Sequence, residues 1–212
     1  EEQFRIPVHI LPNPVSRLSS EVDRHSTKRI IAVGRLVRQK GFDLLIDSFA
    51  KIAARHPDWM LEIYGEGSER PALEAQVERR GCVERISLPG IYTDIGEVYA
   101  DAGLFVLPSR FEGYPNALVE ALAAGCPVIA TNCPGASEQI LEGGLYGMLV
   151  EPENVDALAD ALDRMLSSET SRAKFASQGA KAVAALDTPI VGSQWLNLLM
   201  SVASEAPDKR ER

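Results

Sequence analysis

Six short, mostly apolar runs are separated along this chain by segments of helical periodicity: Ile30 to Val33, Trp59 to Tyr64, Arg85 to Leu88, Leu104 to Leu107, Val128 to Ala130 and Met148 to Val150. Strands that alternate with helices in this way are the signature of a parallel sheet covered on both faces. Between the first two runs, apolar residues recur at Phe42, Leu45, Ile46, Phe49, Ile52 and Ala53, which is helical spacing, and Pro57 follows. Ser68 to Arg80 reads as a polar helix, Ile95 to Ala100 as a short one, and a further turn is expected near Ser137. After Pro152 the pattern is wholly helical. Asn154 is placed to cap a helix carrying Val155, Leu158, Leu162, Met165 and Leu166, followed by helices at about Ser171 to Ala184 and Ile190 to Val202. The fold class expected is α/β, a Rossmann-like doubly wound parallel sheet of about six strands with C-terminal helices.

The 212 residues suffice for one substantial core. Residues 16–203 are expected to form that domain. Residues 1–15, extended and punctuated by Pro7, Pro12 and Pro14, read as an interdomain linker, and the apolar-poor stretch 204–212 as a disordered tail. A formal net charge of −8 argues against a protein that grips nucleic acid by its phosphates, so an anionic ligand must be caught locally. Cys82, Cys126 and Cys133 leave an odd thiol and lack paired metal-ligand spacing; burial in a reducing compartment is the expectation. No apolar run approaches the roughly 18 residues of a membrane span, and the opening residues do not read as a signal peptide. A cytoplasmic location follows as the expectation, with any work at a membrane done peripherally, at its inner face.

Two acids with seven residues between them, Glu112 and Glu120, flank Gly113 and Pro115. Pro115 fits the first turn of a helix that Gly125 is placed to end. Glu112 then lies in the loop before the helix and Glu120 more than a turn inside it, with the helix N-terminus forming an anion site between them. Gly113 would let a phosphate approach the backbone closely. The plainer reading is a surface loop and an amphipathic helix whose glutamates face water. A second cluster, Gly34-Arg35-Leu36-Val37-Arg38-Gln39-Lys40-Gly41, follows the first strand. Such a run is usually a solvated turn, yet it falls at the carboxyl end of a parallel strand, where open α/β sheets bind ligands.

The run from Phe105 to Asn116, with Glu120 to Ala130 after it, closely resembles the nucleoside-diphosphate-sugar site of the retaining GT-B glycosyltransferases of family 4. The resemblance implies that the chain is one half of a GT-B fold, the C-terminal, donor-binding half. It implies transfer of a hexosyl group, with retention, from a UDP- or GDP-sugar to an acceptor hydroxyl, in bacterial surface polysaccharide or lipopolysaccharide assembly. Arg35 and Lys40 match the cations that contact the donor diphosphate, while Arg38 is read as a surface residue. Glu112 matches the acid that holds the transferred sugar, and Glu120 the acid that accepts the ribose hydroxyls. Backbone groups from Gly113 and Tyr114 through Asn116 and Ala117 match those that hold the distal phosphate and sugar. Gly34, Gly65 and Gly90 sit at strand ends around the nucleotide, and Ile91 matches the residue whose backbone reads the base. Ser109 and Arg110, just before the acidic loop, are read as a turn hydroxyl and an exposed cation.

No cofactor and no metal are expected, since cations already face the donor phosphates and no Asp-X-Asp motif is present. The resemblance places the glycan or lipid-linked acceptor, and a histidine that contacts the donor sugar, in an N-terminal half that this chain does not contain; His9, His25 and His56 do not replace it. The chain alone is therefore expected to bind nucleotide weakly and transfer nothing. Around Cys133 to Ile140, where many relatives carry a double glycine before a glutamate, this chain has Pro134-Gly135-Ala136-Ser137-Glu138. Glu138 is read there as structural. Trp195 and the leucines beside it are either core or a cover for a surface shared with that other half. Other classes fit less well. A dinucleotide oxidoreductase would carry Gly-X-Gly-X-X-Gly after the first strand, and a phosphorylase a pyridoxal lysine in a longer domain. A non-catalytic nucleotide-binding module of the same fold remains the alternative.

Overall fold

A computed structural model describes residues 11–15 and 27–205, with side chains to residue 202. Residues 1–10 of the expected linker, most of the expected tail, His9 and His25 lie outside the described residues. Six strands form one parallel sheet: β1 (Arg29–Val33), β2 (Met60–Tyr64), β3 (Ile86–Gly90), β4 (Leu104–Leu107), β5 (Val128–Thr131) and β6 (Met148–Val150). Their order is β3-β2-β1-β4-β5-β6. The chain winds outward from β1 in one direction, then returns to start β4 on its other side, and the crevice at that reversal is where doubly wound sheets place ligands.

Strand side chains alternate between two cores, which is why the strands read as unbroken apolar runs. Ile30, Ala32, Leu104, Val106 and Ile129 point into one core, covered by α1 (Phe42–Ile52), α2 (Arg70–Arg79) and α6 (Val155–Ser167). Ile31, Phe105, Leu107, Val128 and Ala130 point into the other, closed by α3 (Ile95–Ala100) and α4 (Asn116–Ala123), with α5 (Ser137–Ile140) and α7 (Glu169–Ala182) at its margin. Asn154 caps α6 as its position implied, its Oδ1 accepting from Ala157 N–H at 2.9 Å. All three cysteines are buried as thiols.

Three of the boundaries that differ from the sequence reading have a visible cause. Pro115 is the residue before α4 rather than its first: Asn116 N–H turns back to Tyr114 O, and the Pro115 carbonyl accepts the first bonds of the helix. Helix α2 begins at Arg70 rather than Ser68 because the chain turns at Gly67 to Glu69, with Arg70 N–H on Gly67 O and Glu69 N–H taken by Leu36 O. Strand β3 starts one residue later because the Arg85 N–H turns back to Cys82 O instead of joining the ladder. The last helix, α8 (Thr188–Glu205), leaves Trp195, Leu196, Leu199 and Met200 exposed. Trp195 is not core. Val15 is buried and donates its N–H to Leu186 O, tying residues 11–15 to the connection before α8.

Candidate functional site

The carboxyl ends of β1, β2 and β3 are laced together by their backbones: Gly34 N–H donates to Tyr64 O at 3.0 Å and Gly65 N–H to Gly90 O at 2.8 Å. Gly65 has φ +139°, and a Cβ there would lie 1.9 Å from Gly34 O, so only glycine allows the two loops to meet. The result is a cavity of about 270 Å³ that collects Gly34 and Arg35 from the first loop, Gly65 and Glu66 from the second, and Ile91, Tyr92 and Ile95 from the third. Four residues picked from sequence, Gly34, Arg35, Gly65 and Ile91, thus share one space. Gly90 lies beneath it, as the acceptor for Gly65. Ile91 is 77% exposed, and Tyr92 stands edge-on to Tyr64 with ring centroids 6.1 Å apart.

Behind those rings lies a smaller, polar cavity of about 210 Å³ with Arg29, Glu97 and Asp101 on its wall. Arg29 pairs with Glu62 at 2.6 Å and with Asp101, and it reaches Tyr64 OH at 3.0 Å. Tyr64 OH in turn donates to Glu62 Oε2 at 2.6 Å. Burial, reinforced by Glu62, pushes the Tyr64 phenol up to about 12. Burial also works against the Glu62 carboxylate, but the Arg29 and Tyr64 hydrogen bonds outweigh it and hold its pKa below the usual range.

The loop from Ser109 to Pro115 follows β4, on the far side of the switch point. Glu112 is nearly buried there and pairs with Lys40 Nζ at 2.7 Å. Ser109 Oγ donates to the same carboxylate oxygen, Glu112 Oε1, at 2.6 Å. Ser109 is the loop hydroxyl expected, bonding three residues on, whereas the expectation of an exposed cation at Arg110 is overturned. Ser109 is fully buried. Arg110 is 14% exposed and bridges three elements: its fork takes both oxygens of Asp43 at 2.7 and 2.8 Å, its Nε takes Glu153 at 2.8 Å, and Nη1 caps Arg38 O at 2.8 Å. The bidentate bond to Asp43 raises an already high guanidinium pKa further. Arg110 N–H also bonds Gln39 O, and Gln39 Nε2 bonds Phe111 O, so the cationic loop and the acidic loop are stitched along their length. The physical reason is chain topology: β1 and β4 are neighbours, so the loops that leave them run side by side.

A third loop, after β5, closes on Glu112 from behind. Glu112 N–H donates to Pro134 O at 2.9 Å, and Ala136 N–H to Gly113 O at 3.3 Å. Gly135 has φ +138°, and a Cβ there would lie 2.4 Å from Glu112 O. Gly113 is the opposite case: a Cβ would meet no protein atom within 4 Å. Protein packing does not demand glycine at 113, whereas it does at 135.

Glu120 does not line the cavity that holds Arg35 and Ile91. It shares a separate one of about 190 Å³ with Asn13, Val15, Asn116 and Val119, and its Oε2 accepts from the buried Tyr99 OH at 2.9 Å. Asn116 engages both its N–H, with Tyr114 O, and its Oδ1, with Asn13 Nδ2 at 3.0 Å. Tyr114 is exposed beside Gly113, and Ala117 is half-buried on α4 against the second core. Arg35 is exposed, and so is Arg38, as read. His56 pairs with Asp163 at 2.8 Å, on the α6 side of the sheet. Among the described residues, no group of three or more His, Cys, Asp or Glu is placed to hold a metal, and no helix is long and apolar enough to cross a membrane. Sequence reasoning missed Tyr99, Ser109, Arg110 and Tyr92; the only signal for Tyr92 was its position after a strand-end glycine.

Comparison with known proteins gives a consistent picture. A family model described as Glycosyl transferases group 1 matches residues 19–182. The chain is 31% identical over 184 residues to an exopolysaccharide phosphotransferase of Streptomyces coelicolor, which takes in 86% of this chain and 20% of that protein. It is 31% identical over 153 residues to the lipopolysaccharide core biosynthesis mannosyltransferase LpsB of Rhizobium meliloti, 69% of this chain and 43% of that one. Among solved structures, Anabaena HepE in complex with UDP matches with a TM-score of 0.75 at 26% identity, over 82% of this chain and 49% of that chain. The chain spans a fifth to a half of the length of such curated relatives.

Proposed function

The chain belongs to the group 1 glycosyl transferases, and from that premise we propose that it is the donor-binding part of a retaining hexosyltransferase that builds bacterial surface polysaccharide or lipopolysaccharide. The observation that carries this reading is that Arg35 lines the cavity at the carboxyl ends of β1 to β3, while the Lys40 side chain lies against Gly34 of the same cavity and pairs with Glu112.

In this reading the base of a UDP- or GDP-sugar enters the cavity under Ile91 and Tyr92, read by backbone groups at Ile91. Glu120 takes the ribose hydroxyls. Arg35 and Lys40 hold the diphosphate, with the backbone at Gly113 close against it, and Glu112 takes hydroxyls of the sugar. The reaction's difficult moment is the departure of the diphosphate from an oxocarbenium-like carbon. The bond from the anomeric carbon to the phosphate oxygen breaks, both electrons going to that oxygen. The acceptor oxygen bonds the same face, and its proton passes to the leaving diphosphate. Cations and the helix dipole, placed beside the departing diphosphate where negative charge appears, lower that barrier. They also give the diphosphate counter-charge in the absence of a metal. We place the acceptor, a glycan or lipid-linked hydroxyl, on the part of such enzymes that lies beyond this chain. On that basis the protein works in the cytoplasm, at the inner face of the membrane, and these 212 residues alone bind donor without completing transfer.

Calorimetry with UDP, GDP and their sugars tests the donor site. Wild type should bind one nucleotide family, and Glu120→Ala and Arg35→Ala should each weaken it. Absence of binding to any of them, or affinity indifferent to both substitutions, overturns the assignment. Transfer by the 212-residue chain alone would overturn the placement of the acceptor.

A further inference from the structure

Each acid of the Glu112 and Glu120 pair is held at one oxygen by a buried hydroxyl. Ser109 Oγ reaches Glu112 Oε1 at 2.6 Å, and Tyr99 OH reaches Glu120 Oε2 at 2.9 Å. Ser109 is 0% and Tyr99 1% exposed, so neither can trade its partner for bulk water while the fold is closed. Each is anchored in turn. The Ser109 carbonyl accepts from Thr131 Oγ1 at 2.5 Å, tying the end of β4 to the last residue of β5. The Tyr99 ring packs edge-on against Phe105 of β4, centroids 5.8 Å apart. Among the described residues, the second oxygens, Glu112 Oε2 and Glu120 Oε1, have no protein donor.

We infer that Ser109 and Tyr99 are positioning residues: each occupies one oxygen of a glutamate and so aims the other at hydroxyl groups of a bound nucleotide sugar. This deepens the donor-site reading above and rests on it. A carboxylate offers two oxygens and about four lone-pair sites, and a free glutamate spreads them over several rotamers. A hydroxyl donor fixed in the core selects one rotamer before the ligand arrives, which removes an ordering cost from binding. The arrangement also answers a difficulty posed by Lys40, whose Nζ shares Glu112 Oε1 with Ser109. When a diphosphate draws Lys40 toward itself, Ser109 keeps that nearly buried oxygen paired and the side chain in place. Tyr99 is suited to the same office at the ribose end. Burial first, then the charge and hydrogen bond of Glu120, raise its phenol far above the ordinary value, so it donates throughout the physiological range.

The two hydroxyls serve different parts of the ligand, so their removal has different signatures. Dissociation constants are measured on the 212-residue chain by calorimetry for UDP, 2′-deoxy-UDP and whichever of UDP-glucose, UDP-N-acetylglucosamine and GDP-mannose binds wild type best. If that sugar is GDP-linked, GDP and 2′-deoxy-GDP replace the uridine pair. Tyr99→Phe should shrink the preference for ribose over 2′-deoxyribose by about tenfold, as expected for a hydrogen bond to a charged group, and leave the ratio of nucleotide sugar to nucleotide unchanged. Ser109→Ala should do the converse, weakening the nucleotide sugar by about tenfold relative to the bare nucleotide. Ratios taken within one variant are insensitive to a partly unfolded sample. In a Glu120→Ala background, Tyr99→Phe should have no further effect, and in Glu112→Ala neither should Ser109→Ala. Ratios that stay within about twofold of wild type, or effects that persist without the glutamates, overturn the inference while leaving the donor site standing. So does a hydroxyl-deleted chain that fails to fold, since the hydroxyl is then a structural anchor. If wild type binds none of the probes, the donor-site reading falls and takes this one with it.

Discussion

Lys40 Nζ lies 2.7 Å from Glu112 Oε1, an ion pair whose side chains are only 16% and 5% exposed. The cation we propose for the diphosphate is thus paired with the acid we propose for the sugar. Nearly buried pairs matter chiefly through what their disruption leaves behind. Lys40→Met should cost about 2 kcal/mol of stability by leaving Glu112 with Ser109 as its remaining side-chain donor. Glu112→Gln added to it should recover part of that loss. Urea unfolding of the two single variants and the double checks this; an unchanged midpoint for Lys40→Met would mean that the pair is already solvated.

Arg110 holds Asp43, Glu153 and Arg38 O with a planar fork that lysine cannot reproduce. Arg110→Lys keeps the charge and should still lose about 1–2 kcal/mol. Because the same fork fixes the loop that carries Lys40, nucleotide affinity should fall as well. Denaturant titration paired with calorimetry distinguishes this from a purely electrostatic role, in which lysine would serve equally.

Gly113 and Gly135 make opposite predictions from neighbouring loops. Alanine at 135 would set its Cβ 2.4 Å from a backbone oxygen at a left-handed φ, so Gly135→Ala should destabilise the fold by more than about 2 kcal/mol. Alanine at 113 meets no protein atom within 4 Å. Gly113→Ala should leave the melting temperature in place and weaken nucleotide-sugar binding. Equal effects of the two on stability would show that the space beside Gly113 is closed in solution.

The Tyr64 phenol, raised by burial and by Glu62, predicts an alkaline limit. Its folded pKa exceeds the unfolded value near 10, so its contribution is present below that value and is lost as pH rises from about 10 through 12. Tyr64→Phe should flatten the fall in stability over that window. Chemical unfolding at pH 9 and pH 11.5, for wild type and variant, tests the sign; a steeper fall in the variant contradicts it.

Most of the architecture was readable because a parallel sheet covered on both faces leaves its mark residue by residue, as at Ile30-Ile31-Ala32, which supplies the two cores alternately. The backbone-built cavity was readable for a related reason: Gly34, Gly65 and Ile91 lie at strand ends, which a sheet of known order must bring to one edge. The supports were not. Arg110 lies 67 residues from Asp43 and 43 from Glu153, and no local pattern joins them. Tyr99 looked like any residue of a short helix, and Ser109 like any turn hydroxyl. What distinguishes them is burial beside a carboxylate, a property of the folded chain. The boundary at Pro115 moved for a smaller reason, a tight turn at Tyr114 that depends on backbone angles the sequence leaves open.

The fit of Gly135 under the Glu112 carbonyl sets a rule for anyone who would re-engineer the proposed sugar site. Residues 131–140 cannot be treated as an exchangeable cassette, because the segment is seated on the acid it surrounds through the Pro134 carbonyl and the bare face of residue 135. A library that randomises Ala136, Glu138 and Gln139, and keeps glycine at 135, explores new contacts while leaving Glu112 where it is; one that varies 135 discards most of its members before any sugar is offered.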